Sequence, residues 1–216
     1  MHKILMLSVA LISAASMAQA ASVNLITNGD FEAGDTGFTT ELTLGGGLAQ
    51  YRIATTPKAA NSAFINKGDH TSGTGNMMVI NGSRDTDTIA WSQTVSVEAG
   101  ATYEFSAYSI TAFNGPLGKL DFVVDGSSIG MSDTPAFGDD WTESSFSWTA
   151  GGTTSVVLSL LDASTEFGGN DYAIDDLSFV KTSGPIGPAP VPLPGGLLLL
   201  GTALAGGLAL KRRRRH

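Results

Sequence analysis

The chain has 216 residues, no cysteine, 20 Asp plus Glu and 12 Lys plus Arg, for a formal net charge of −8. Seven of the bases lie outside residues 21–180, so the middle of the chain sets five bases against 20 acids and carries −15. That charge excludes phosphate-reading nucleic-acid binding and disfavours anionic lipid, and the missing cysteines exclude disulfides, thiolate metal sites and Cys nucleophiles.

The N-terminus reads as an address. Lys3 precedes a nine-residue apolar core, Ile4–Ile12, and a small-residue end. Ala18-Gln19-Ala20 fits the A-x-A cleavage rule, so cleavage is expected after Ala20. Nine residues rise only about 14 Å as a helix, too little to span a bilayer.

The body from residue 21 shows no sustained helical period. Short apolar or alternating runs are separated by Gly, Asn, Asp and Ser. They predict strands at Val23–Ile26, Leu48–Ala54, Asn76–Ile80, Ala90–Val97, Ala101–Ile110, Leu120–Val124, Ser127–Met131, Trp141–Trp148, Ser155–Leu161 and Tyr172–Val180. This density is that of an all-β sandwich or barrel. Asp125-Gly126 predicts a two-residue type I′ hairpin, because Gly tolerates positive φ. Val97-Glu98-Ala99-Gly100 predicts a second turn. Alternation places Ile89, Trp91, Val95 and Val97 on one core face, and likewise Tyr103, Phe105 and Ala107, Phe146 and Trp148, and Val156, Leu158 and Leu160.

Catalysis finds little support in the residues. His70 is the one histidine inside the body, and Asp69-His70 adjacency is not a spatial triad, so a loop role is expected. No nucleophile elbow, P-loop or dinucleotide fingerprint occurs. Asp85-Thr86-Asp87 begins like a calcium loop but lacks its later ligands. Twenty acids offer so many carboxylate pairs that pairing alone carries no signal. Exposed aromatics suit sugar stacking. Tyr108 lies opposite Tyr103 and Phe105 on its strand, and Tyr51, Phe113 and Trp141 fall at strand ends or loops. Tyr108 and Trp141 are the candidate ligand-binding pair; core or hairpin packing is the competing reading.

Two segments bracket the body: Asn24-Leu25-Ile26-Thr27-Asn28-Gly29-Asp30-Phe31-Glu32 and Asn170-Asp171-Tyr172-Ala173-Ile174-Asp175-Asp176-Leu177-Ser178. The pair resembles the galactose-binding-like β-sandwich, the antiparallel jelly-roll of many carbohydrate-binding modules. The resemblance implies adjacent first and last strands and a structural Ca²⁺ tying them. Its ligands would be Glu32, Asp175 or Asp176, with the Gly29 carbonyl as a further donor. Solvated or strand-capping carboxylates are the alternative at Asp175 and Asp176. Phe38 follows Gly37 where the family often carries Trp.

After Lys181 the chain becomes a spacer, with five of the eight prolines between Pro185 and Pro194. Gly195–Leu210 then runs 16 residues without a charge and Lys211–Arg215 follow. The run spans about 24 Å as a helix and predicts a short transmembrane segment with a cytoplasmic basic tail. Val191-Pro192-Leu193-Pro194, the glycine- and leucine-rich run and the arginine cluster resemble the PEP-CTERM sorting signal in its VPLPA form, with Gly195 in place of the last alanine. This implies processing by an exosortase and delivery to the cell surface or exopolysaccharide matrix of a Gram-negative bacterium, through an inner-membrane intermediate. Gly195-Gly196 keep a GlyGly-CTERM signal, read by rhombosortase, as the rival.

The sequence thus divides into a signal peptide (1–20), a β-sandwich (21–181), a linker with the sorting motif (182–194), a transmembrane helix (195–210) and a basic tail (211–216). The expected function is non-enzymatic: an exported protein whose sandwich binds extracellular polysaccharide. A structural or adhesive matrix protein without a glycan ligand, and a glycan-active enzyme, are the alternatives.

Overall fold

A computed structural model describes residues 23–164, 166 and 168–184. The Ala20 cleavage site, the Val191–Pro194 motif, the 195–210 run and the basic tail lie outside the described residues. The first compact unit ends at Ser183.

The elements follow in order: β1 (Thr43–Leu44), β2 (Gln50–Ala54), α1 (Pro57–Ala60), β3 (Met77–Asn81), β4 (Thr88–Ser96), β5 (Thr102–Thr111), β6 (Lys119–Val124), β7 (Ser127–Asp133), β8 (Thr142–Thr149), β9 (Ser155–Asp162) and β10 (Tyr172–Ser183). They build two sheets, one of six strands in the order β1-β2-β3-β10-β5-β8 and one of four in the order β4-β9-β6-β7. Every pairing is antiparallel except the short β1–β2 contact. Their inner faces meet in an aromatic core: Trp91 of β4 and Phe122 of β6 approach Phe105 of β5 at 6.3 and 5.1 Å between ring centroids. The chain is therefore a β-sandwich.

Local chemistry sets the turns. Asp125 and Gly126 take φ of 46° and 75°, the two positive angles of a type I′ hairpin between β6 and β7. The 97–100 turn carries the chain from the four-stranded to the six-stranded sheet, with Gly100 at φ 75°. Thr56 caps α1 by accepting from the Ala59 N–H, and Pro57 opens the first turn.

Three sequence expectations change. The predicted strand at Val23–Ile26 is only an isolated bridge between Asn24 and Val180. It docks through the Asn24 side chain, whose Nδ2 donates to the Leu177 carbonyl and whose Oδ1 accepts from the Phe179 N–H, and through the Leu25 N–H, which donates to the Phe179 carbonyl. Ile89 is half-buried while Ala90 is fully buried, because a register shift between Ile89 and Trp91 breaks the alternation. Finally, β1 and α1 were not expected, being too short to show a period.

The six-stranded sheet is buried on parts of both faces. Met78 and Ile80 of β3 point into the main core, whereas Met77 and Val79 join Phe64, Ile110, Ala112 and Ala173 in a second cluster on the outer face. The segment from α1 to β3 lies over that cluster, and it positions the candidate site.

Candidate functional site

β10 prepares the site by a change of register. Tyr172 and Ile174 face the main core and Ala173 the outer cluster. Asp175 is paired with Tyr108, but the next registered pair is Ser178 with Ser106. The extra residue makes a β-bulge, and Asp176 sits in it at φ 48°. Asp tolerates this left-handed backbone better than most side chains. Beyond the bulge Leu177 and Phe179 return to the core. Tyr108 is also paired with Glu143 of β8, so Asp175, Tyr108 and Glu143 form one row across three strands.

The 68–76 loop closes over one end of this row. Asp69 is buried and accepts from the Ser72 and Gly75 N–H groups at 2.8 and 2.7 Å. Burial works against its charge, yet these donors outweigh that effect and hold its carboxyl below the usual range. Glu32 holds the far end of the loop by accepting from the Asn76 N–H at 2.7 Å. Trp141 Nε1 donates to the Gly68 carbonyl at 3.0 Å.

His70 is the centre of the arrangement. Its ring stacks on Tyr108 with centroids 3.5 Å apart and 14° between planes, and meets Trp141 edge-on at 6.1 Å. Nδ1 lies 2.6 Å from Asp176 Oδ2, and Thr71 Oγ1 donates to Asp176 Oδ1 at 2.8 Å. A carboxylate only accepts, which places a proton on Nδ1. The His70 N–H donates to Asp175 Oδ2 at 2.8 Å.

Asp175 is fully buried, and burial pushes its carboxyl up to about 7 against the opposing Asp176 N–H donor. Burial raises the Tyr108 phenol as well, helped by the nearby Glu143 and Asp176 carboxylates. At the rim Asp140 is exposed, pairs with Lys67 at 2.9 Å, and is held below its ordinary value chiefly by that lysine.

The structure thus brings the two sequence-predicted aromatics, Tyr108 and Trp141, into one cluster through a third ring that sequence reasoning assigned to a plain loop. His70, Tyr108 and Trp141 are each half-buried. The other two aromatic candidates lie elsewhere: Tyr51 is buried and donates to Asp35 at 2.7 Å, and Phe113 leans on Phe64 at 6.4 Å.

The carboxylates named for Ca²⁺ divide between two tasks. Asp175 and Asp176 receive the His70–Thr71 backbone and side chains, while Glu32 holds Asn76. The opening and closing segments do meet, with the Gly29 carbonyl accepting from the Leu177 N–H at 2.9 Å. Among the described residues no group of three or more His, Cys, Asp or Glu is placed to hold a metal ion.

Among the described residues no helix is long and apolar enough to cross a membrane. No family model matches the chain, and no curated protein matches it. Solved structures do resemble it. A Stig cyclase from Fischerella sp. TAU, solved with a pyrrolidinylidene-indole, superposes with TM-score 0.53 at 12% identity, over 76% of this chain and all of that one. An apo cyclase from Fischerella sp. gives TM-score 0.51 at 12% identity, over 77% of this chain and 100% of its own. The CBM22-1–CBM22-2 tandem of Paenibacillus barcinonensis Xyn10C gives 0.50 at 17% identity, over 78% of this chain and 50% of its own. At such identities the likeness is one of fold, and it agrees with the β-sandwich of two packed sheets.

Proposed function

We propose that the protein is exported to the cell surface or an extracellular matrix, where its sandwich binds polysaccharide. The observation that carries the binding reading is the half-exposed cluster of His70, Tyr108 and Trp141, edged by Glu143, Asp176 and Asp140. Ring faces take the apolar faces of sugars, and carboxylates accept from sugar hydroxyls. The resemblance of fold to a tandem of carbohydrate-binding modules supports the same reading by analogy. A glycan array on the full chain tests it. Trp141→Ala and Tyr108→Ala should each abolish binding to the glycans the parent retains. Binding that survives both changes removes this site, and an array with no hits favours the adhesive matrix protein.

The export reading rests on the two chain ends. The Ala20 cleavage site, the Val191–Pro194 motif and the arginine run support passage through the inner membrane and removal of the tail by an exosortase. Intact mass of protein from the native host tests it: retention of Arg212–Arg215 overturns the sorting reading and leaves a simple membrane anchor.

A second reading, a glycan-active enzyme, draws on one observation. The His70–Asp176 pair has the geometry of a base oriented by a carboxylate, beside a buried Asp175 whose carboxyl is raised to about 7. Reducing sugar released from host exopolysaccharide, and lost on His70→Ala, would promote it.

A further inference from the structure

Resting on that glycan-binding reading, we infer that the ligand is a polymer of amino sugars bearing free, protonated amines, rather than a uronate or sulfated polysaccharide. The strand register extends the aromatic cluster into a track. Two residues along from the Asp175–Tyr108–Glu143 row lies Ser178–Ser106–Ser145, and two further lies Val180–Glu104–Ser147. Ser145 and Ser147 are exposed, Ser178, Val180 and Glu104 half-buried, and Ser106 between them is buried, so the open side of the track is that of β8. At roughly 3.4 Å per residue, Tyr108 and Glu104 stand about 14 Å apart on one face. That length suits an oligosaccharide rather than a single sugar.

The charges along this track have one sign. Asp176 lies against His70, Glu143 beside Tyr108, Asp140 beside Trp141, and Glu104 at the far end. The lysine at the cluster, Lys67, is engaged by Asp140 at 2.9 Å, and the His70 ring is held by Asp176 at 2.6 Å. A carboxylated or sulfated sugar would meet like charge here, and the −15 of the body would repel a polyanion at longer range. An ammonium group gains twice. It is attracted to the ring faces, and it donates charge-assisted hydrogen bonds to the carboxylates. Serine hydroxyls between the acids then serve the sugar's own hydroxyls.

The test is titration of the full chain with three matched probes: a glucosamine hexamer, its fully N-acetylated counterpart and an oligogalacturonate, at a pH where the free amines are protonated. The glucosamine hexamer should bind about tenfold more tightly than the acetylated one, the size of one charge-assisted contact. That advantage should shrink as salt shortens the screening length, and the uronate should bind worst. The double variant Glu143→Gln, Glu104→Gln should bring the ratio of amine to acetylated affinity close to one, and Trp141→Ala should weaken both. Equal affinities for the two hexamers in the parent would overturn the amine inference while leaving the glycan reading intact. Amine binding indifferent to all three substitutions would place the sugar elsewhere on the acidic surface and overturn the site. Failure of all three oligosaccharides to bind would overturn the amine inference, and the glycan array then decides the glycan reading.

Discussion

On the inner face of the six-stranded sheet, Tyr103 and Phe179 stack at 4.8 Å and Phe105 meets Phe179 edge-on at 6.0 Å. On the outer face the same two strands, β5 and β10, carry Glu104, Ser106 and Ser178 at one end, and Ile110 and Ala173 at the other. The first face is closed over these two strands, where Tyr103, Phe105, Ala107, Ile174, Leu177 and Phe179 are all buried in the main core. The second is closed only where Phe64 and its loop cross it. One sheet therefore carries a continuous core, a small satellite core and an open polar track. The boundary between the last two falls at the Asp175–Tyr108–Glu143 row, where the aromatic cluster stands.

The largest test of this contrast removes one ring from each core. Phe105→Ala should cost about 3–5 kcal/mol in urea unfolding, because a fully buried ring leaves a cavity between two rigid sheets. Phe64→Ala should cost less, about 2 kcal/mol, since a loop can collapse into the space. Equal losses would show that the outer cluster is as integral as the inner one. Next in size, a Cβ added at Gly29 would run into the Leu177 carbonyl, which is backbone and cannot swing away. Gly29→Ala should therefore destabilise by about 1–3 kcal/mol, measured the same way.

A further test is the response to pH. Asp175 has a folded value raised to about 7, above the ordinary carboxylate value of about 4. Between these limits the folded state holds a proton that the unfolded state releases, so this group lowers stability as pH rises from about 4 to about 7. Its share of the slope is at most about 1.4 kcal/mol per pH unit. Asp162 and Asp171, raised mainly by burial, act in the same direction. Asp175→Asn, followed by melts across that range, should flatten the slope; an unchanged slope would assign the effect elsewhere. The smallest expected effect concerns Ca²⁺. With Glu32, Asp175 and Asp176 engaged as described, melts with EGTA and with added Ca²⁺ should coincide. A rise with Ca²⁺, by mass action on the native state, would mean that these carboxylates regroup around the ion.

Most strands are legible in the sequence because their periods are physical. β8 alternates in burial along its length, as a strand with one open face must. β3 reads Met77-Met78-Val79-Ile80 and is buried at all four positions, the mark of a strand covered on both sides. The Asp125-Gly126 turn is legible because two positive φ angles demand such residues. What escapes is whatever depends on distant pieces of chain. His70 carries no local signal of its role, since its partner Asp176 lies 106 residues away. The Asp175–Asp176 bulge is invisible for a related reason. A one-residue slip follows from pairing with β5, and the sequence Ile-Asp-Asp-Leu reads as well for a strand end. Tyr108 and Trp141 were found by alternation and position, but their meeting required the loop that carries His70.

The placing of β10 has a mechanical consequence. It lies between β5 on one side and, in succession, β3 and the opening segment on the other, where Leu25 donates to Phe179 and Leu177 to Gly29. A pull exerted through the chain beyond Ser183 would run along the axis of this strand. Its rungs would then resist together, in shear, rather than parting one after another as an edge strand such as β7 would when peeled. The handle by which such a protein would be tethered is a strand held by neighbours on both sides.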